Sequence, residues 1–323
     1  MVVNSNAAEQ AQILTSSSDK VLPIDTLAEA GRKILLAEYS KIHQFEVKAD
    51  TDENRPNVNE MRVTVYHIQG ALKLLKPQYA PKNIRFYRRT LNDLSQILSA
   101  IRYIDELIED LGAFGSSLES NQQDVLKSIL DKLAKRRNDE LKKLDMMSNN
   151  KKERRFIKSL VNLGNTPVND PALSGHVEPS QVRYLLPKLI YERLAVIRAY
   201  NEALVDVNII LLDELRVEVS RLLYTVSIFE EVLGKQITGF TEELRLIQDT
   251  LDQIHDMATT QNRLDRLMDT SKKKYLEIFE TYLNHRKEKE QSLIAAFKEQ
   301  WIRFNSRKVQ QKLSTALLTL YEN

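Results

Sequence analysis

The chain repeats itself. Asn59-Glu60-Met61-Arg62-Val63-Thr64-Val65 returns 154 residues later as Asp213-Glu214-Leu215-Arg216-Val217-Glu218-Val219. The apolar positions Met61, Val65, Ile68 and Leu72 meet Leu215, Val219, Leu222 and Val226. The next periodic run also returns, at an offset of 153, with Leu91, Leu94, Leu98 and Ile101 against Leu244, Ile247, Leu251 and Ile254. Any two amphipathic helices can be laid over each other. An ordered match of two successive helices, with Glu-x-Arg-Val in both copies, is a stronger signal of duplication. A duplicated helical unit predicts two bundles about a pseudo-twofold axis, with a groove where they meet.

The spacing of apolar residues is helical throughout. Met61, Val65, Ile68, Leu72 and Leu75 alternate steps of four and three, which places them on one helix face. Only eight glycines and eight prolines occur in 323 residues, several of them grouped between periodic runs. The expectation is an all-α chain of long antiparallel helices. Residues 1–22 are polar and expected to be disordered. A first helical half then spans 23–163, and a second spans 181–323. Between them, residues 164–180 hold Gly164, Pro167, Pro171, Gly175 and Pro179 and read as a linker. Within the second half, helices are expected over about 209–233, 241–269, 271–290 and 293–320. No apolar run approaches the ~18 residues needed to span a bilayer.

Much chemistry is excluded by what the sequence lacks. There is no cysteine, so disulfides, thiolate metal sites and cysteine nucleophiles are ruled out. No Walker-type loop, Gly-x-Gly-x-x-Gly or Gly-x-Ser-x-Gly occurs. The five histidines are scattered, and none stands three residues after a glutamate, so no metal or cofactor is expected. With 47 basic and 45 acidic residues and one Trp, the chain has little reach or stacking surface for nucleic acid.

The helix carrying Met61-Arg62-Val63 resembles the CHAD family, the conserved histidine α-helical domain. The family pattern is a His, two residues, then Arg-Val or Arg-Ile, followed by a basic cluster. Val58-Asn59-Glu60-Met61-Arg62-Val63 and Leu212-Asp213-Glu214-Leu215-Arg216-Val217 hold that place in the two halves. Leu186 to Leu194 is similar to the opening helix of the family's second half. Ile247 to Asp256 is similar to its Leu-Gln-Asp-x-Leu segment, with Leu98 to Asp105 as first-half counterpart. The resemblance covers about residues 25–320. Asn59 and Asp213 replace the histidine, and Tyr66, His67, Ile68 and Gln69 stand where the first basic cluster is usual.

The resemblance implies non-catalytic binding of inorganic polyphosphate, or a similar phosphate-rich anion, in a basic groove between the halves. Each phosphoryl unit carries about one negative charge and takes charge-assisted hydrogen bonds, often bidentate from Arg. On the repeat helix, Asn59, Arg62, Tyr66, Gln69, Lys73 and Lys76 share a face. Arg216, Arg221 and Tyr224 come from its second copy. Arg32, Lys33, Arg193 and Arg198 come from the helices opening each half, and Arg102 and His255 from matching places further on. The alternative is a scaffold for a protein partner, with anion binding weakened or lost. A cytoplasmic location, associated with polyphosphate granules, is the expected setting.

Overall fold

A single pair of backbone contacts marks the symmetry of the molecule. Thr26 and Gln181 form an isolated antiparallel bridge. Leu27 N donates to Ser180 O at 3.0 Å, and Val182 N donates to Asp25 O at 2.7 Å. Each contact becomes the other on exchanging residues 155 apart, so a local twofold axis passes between Thr26 and Gln181. This is a computed structural model. It describes residues 20–49, 58–75, 81–148, 156, 159, 160, 162–165, 180–204, 208–267 and 273–322. Among these the bridge is the only strand-like pairing.

Helices account for the rest. In the first half they are α1 (Leu27–Ala49), α2 (Val58–Leu75), α3 (Pro81–Gly115) and α4 (Ser120–Ser148). The second half repeats the order with α5 (Val182–Ala203), α6 (Ile209–Ile228), the short α7 (Glu230–Leu233), α8 (Thr238–Leu267), α9 (Lys273–Phe304) and α10 (Arg307–Leu318). The aligned apolar positions are buried in both copies: Val65 with Val219, Ile68 with Leu222, Leu72 with Val226, Leu98 with Leu251, Ile101 with Ile254. Phe156 and Leu160 are buried like Val309 and Leu313, which stand 153 residues on.

Local chemistry sets the helix ends. Pro81 does not terminate α2 as a breaker. It opens α3, where its missing N–H costs nothing. Asn208 caps α6 by accepting from Ile210 N at 2.8 Å. The helix expected over 209–233 breaks at Phe229, and Gly234 turns the chain with φ of 66°. The expected break near Gln291 does not occur. Leu293, Ile294, Phe297, Trp301 and Phe304 carry the apolar face of α9 onward, and the chain breaks instead before Ser306, which caps α10.

One core joins the halves, with Leu35, Ile68 and Leu98 in the same cluster as Ile190, Leu222, Leu251 and Leu313. A second core holds the far ends of the long helices, where Leu107, Leu111 and Ile129 meet Leu264, Tyr275 and Tyr282. No described helix is long and apolar enough to cross a membrane. Residues 1–19 and most of 164–180 lie outside the described residues, as does Lys76.

Candidate anion site between the halves

The two copies of the repeat helix, α2 and α6, meet at the seam between the halves. Tyr66 stacks on Tyr224 with ring centroids 4.3 Å apart. Burial, and then the neighbouring Tyr66, push the Tyr224 phenol above its ordinary range. At Gly70 the helices are so close that a Cβ would lie 2.2 Å from Ile228 Cδ1. His67 crosses the seam, with Nε2 3.1 Å from Ser227 Oγ and Nδ1 3.0 Å from Glu38 Oε1.

The predicted cations fall into separate groups. Arg216 is neutralised: Nε donates to Asp213 Oδ1 at 2.9 Å and Nη1 to Asp252 Oδ1 at 3.3 Å. Burial works against its charge, but those two carboxylates outweigh it and raise the pKa. Asp213 Oδ1 also lies 2.7 Å from His255 Nδ1. Arg102 pairs with Glu106 at 2.9 Å and with Asp256 at 3.6 Å. Arg102, Glu106, Asp252 and Asp256 line a cleft of about 610 Å³ that also takes in Glu109, Asp110 and Asp249. Burial, and the neighbouring carboxylates, push Glu106 and Asp249 up. A cleft of this charge repels a polyanion. Arg62 donates to Asn59 Oδ1 at 3.3 Å, and its buried Nε has no hydrogen-bond partner. It lies close enough to Glu106 and Tyr224 to favour their charged forms.

In a different group of four cations, three have no counter-charge among the described residues. Although much of the Lys73 side chain is exposed, surrounding protein pushes its pKa down, and so do Arg193, Arg221 and Arg88. These four cations come from α2, α5, α6 and α3, two from each half. Arg221 pairs with Glu218 along its own helix. Lys73, Arg88 and Arg193 make no ion pair or hydrogen bond among the described residues. The structure therefore brings Lys73, Arg193 and Arg221 together and adds Arg88, which the sequence reading passed over. Its signal was present in Arg85-Phe86-Tyr87-Arg88-Arg89, three arginines in five residues on the exposed first turns of α3.

The other candidates stand elsewhere. Arg32 is tied to Glu29 and to Gly164 O, and Lys33 to Asp25 and Lys20 O, so both hold the opening of α1 in place. Arg198 donates to Gln310 Oε1 at 2.7 Å on the α10 side.

A family model for the CHAD domain matches residues 33–265, well over half of the chain. The chain belongs to the CHAD domain family. The crystal structure of the CHAD domain from the plant Ricinus communis is similar over 87% of this chain and 93% of its own. Its TM-score is 0.66 and its sequence identity 16%, so the likeness is one of fold. No curated protein matches the chain significantly. In this CHAD domain the residues at the histidine positions, Asn59 and Asp213, both accept a hydrogen bond from the arginine three residues on. The two halves thus keep the same local contact with different residues.

Proposed function

We propose that this CHAD domain binds inorganic polyphosphate, or a similar phosphate-rich anion, without catalysing a reaction on it. The seat is the basic face where Lys73, Arg88, Arg193 and Arg221 converge from both halves. The observation that carries this reading is the meeting of Lys73, Arg88, Arg193 and Arg221 from four helices, three of them with no counter-charge among the described residues; burial first, and the three guanidinium charges second, lower the Lys73 pKa. Mutual repulsion of this kind costs stability in the empty protein. A phosphate chain laid across the four groups relieves it and gains charge-assisted hydrogen bonds. The backbones of these groups are already fixed on four helices, so binding has to order only their side chains. A cytoplasmic setting, with polyphosphate granules as a place of contact, fits this reading.

The test is a titration of the full chain with long-chain polyphosphate over a series of salt concentrations. Affinity should fall steeply with salt, because each neutralised phosphate releases counterions. Arg88→Ala and Arg193→Ala should each weaken binding roughly tenfold or more, the equivalent of one charge-assisted contact of about 1.5–3 kcal/mol. Affinity indifferent to both salt and these changes would remove the electrostatic account.

A second reading is favoured by the carboxylates at the other end of the seam. Asp213, Asp252 and Asp256 engage Arg216, His255 and Arg102 and leave no basic wall there. A scaffold that meets a protein partner through this end would keep the fold with no tight anion binding. Polyphosphate affinity that stays weak at low salt would decide for it.

A further inference from the structure

The internal twofold axis gives every seam residue a counterpart. At the offset of 154, His67 corresponds to Arg221 and Ser227 to Lys73. At the offset of 155 set by the Thr26–Gln181 bridge, Glu38 corresponds to Arg193. The basic group Lys73–Arg193–Arg221 therefore has a counterpart across the axis, Ser227–Glu38–His67. One contact obeys the same relation: Lys73 beside Arg221 answers to Ser227 beside His67. Lys73 interacts with Arg221 and Arg193, while His67 touches both Ser227 and Glu38. On one side of the axis three cations face each other. On the other side His67 stands between the Ser227 hydroxyl and the Glu38 carboxylate.

The hydrogen bonds there are consistent with a cation held on an internal anion. Ser227 Oγ donates to Tyr224 O at 3.2 Å, so towards His67 it accepts. His67 thus turns Nε2 to this hydroxyl and Nδ1 to the Glu38 carboxylate. Glu38 is 5% exposed and also takes Lys41 Nζ at 2.7 Å. Burial opposes its charge, yet His67 and Lys41 hold its pKa below the ordinary value of 4.5. Its second oxygen, Oε2, is buried with no hydrogen-bond partner.

We propose that the fold carries two pseudo-symmetric anion seats, an open one at Lys73–Arg193–Arg221 and a second that Glu38 fills from within against His67. The inference rests on the anion-binding reading of the open seat. It assigns Glu38, which stands where Arg193 stands in the open seat, the part of closing the second seat by pairing with His67, which limits the protein to one such seat per chain. Removing the carboxylate leaves Lys41, the Ser227 hydroxyl and His67 to receive a small phosphate anion. The vacated seat is then sensitive to pH, because His67 contributes charge only when protonated. The groups facing His67 are Glu38, with Lys41 behind it, from α1, and Ser227 and Tyr224 from α6, with Tyr66 beside it on α2. From α3, Asn92 reaches the neighbouring Gln69 and is neutral.

Calorimetric titration of the full chain with tripolyphosphate tests the proposal. The natural chain should bind one equivalent at about pH 6 and at about pH 8. Glu38→Ala should bind two at the lower pH, with the second event weaker by about tenfold at the higher one. Adding His67→Gln should abolish the second event and leave the first. Should Glu38→Ala fail to fold by circular dichroism, Glu38→Ser, which vacates the same space with a small polar group, is read in the same way, with the same outcomes. One equivalent in both natural and variant chains at pH 6, or two in the natural chain, would overturn the second seat while leaving the function reading intact. Absence of any binding in the natural chain would overturn the function reading and this inference with it.

Discussion

Lys73 and Arg216 lie on copies of the same helix and have opposite surroundings. Arg216 is locked between Asp213 and Asp252, whereas Lys73 meets only cations and their solvent. The two therefore answer differently to truncation. Arg216→Ala takes the arginine from two carboxylates, leaving Asp213 to His255 and Asp252 to Gln248, and should cost about 1 kcal/mol of stability, read as a lowered midpoint of thermal or urea unfolding. Its effect on polyphosphate affinity should be small. Lys73→Ala should leave the unfolding midpoint unchanged or slightly raised, because it relieves repulsion, while affinity drops about tenfold. If both variants lose affinity equally with no change in stability, the division of cations is wrong. The repeat made Arg62 and Arg216 legible in the sequence as a pair. So were Asn59 and Asp213, three residues back on the same helices, but Asp252 was not, because it approaches Arg216 from another helix and periodicity carries no record of which helices touch. Glu38 was invisible for the same reason. A glutamate on a charged helix reads as solvated until its neighbours His67 and Ser227 are in place.

At the level of elements, the seam depends on how closely α2 and α6 approach. Gly70 leaves no free space for a side chain there, facing the end of the Ile228 side chain. Alanine there meets one movable methyl, and the expected strain of about 1 kcal/mol is offset by alanine's helix propensity of similar size. Gly70→Ala should thus be close to neutral in unfolding experiments. Gly70→Leu should wedge the helices apart, cost about 1–3 kcal/mol as overpacking does, and separate the Tyr66–Tyr224 pair. A fluorescence or ultraviolet signature of the stacked tyrosines should change in the leucine variant alone. A Gly70→Leu chain as stable as the natural one would mean that the seam is looser than described. Helix existence was legible almost everywhere, since each apolar stripe has a single period. Two ends were not. α9 runs through Gln291 and Ser292 because its buried face continues on Leu293, Phe297 and Trp301, and neither residue forbids a helix. The Phe229 break of α6 carries no proline, and the glycine lies five residues later.

Across the whole molecule, charge is sorted into a basic face and an acidic cleft, although the sequence totals nearly cancel at 47 to 45. Net charge alone therefore gave no sign of a polyanion site; the sorting emerges only when α2, α3, α5 and α6 are brought together. The cleft side makes its own prediction. Glu106 comes from the first half and Asp249 from the second, and burial with neighbouring carboxylates raises both above ordinary values of 4.5 and 3.8. A raised carboxyl holds its proton more tightly in the folded chain than in the unfolded one. Folding then gains stability as pH falls through the raised values, and the gain is complete below the ordinary ones. Glu38 and Asp110 act in the opposite sense, since their pKa values are depressed and their contribution is lost only on further acidification below 4.5 and 3.8. Stability should accordingly rise as pH falls from neutral through the raised values and fall again on acidification below 4.5 and 3.8. The double change Glu106→Gln with Asp249→Asn removes the cleft's share. It should raise the melting temperature by about 1–3 °C near pH 7.5, a modest figure because both groups are partly solvated. That advantage should shrink as pH falls and vanish near pH 4.5. A melting temperature that drops in the double variant at neutral pH would show that the carboxylates hold the halves together through Arg102, Arg286 and Lys289, which line the same cleft. The basic face lies outside this cleft, so polyphosphate affinity should be unchanged or slightly improved by the weaker negative field.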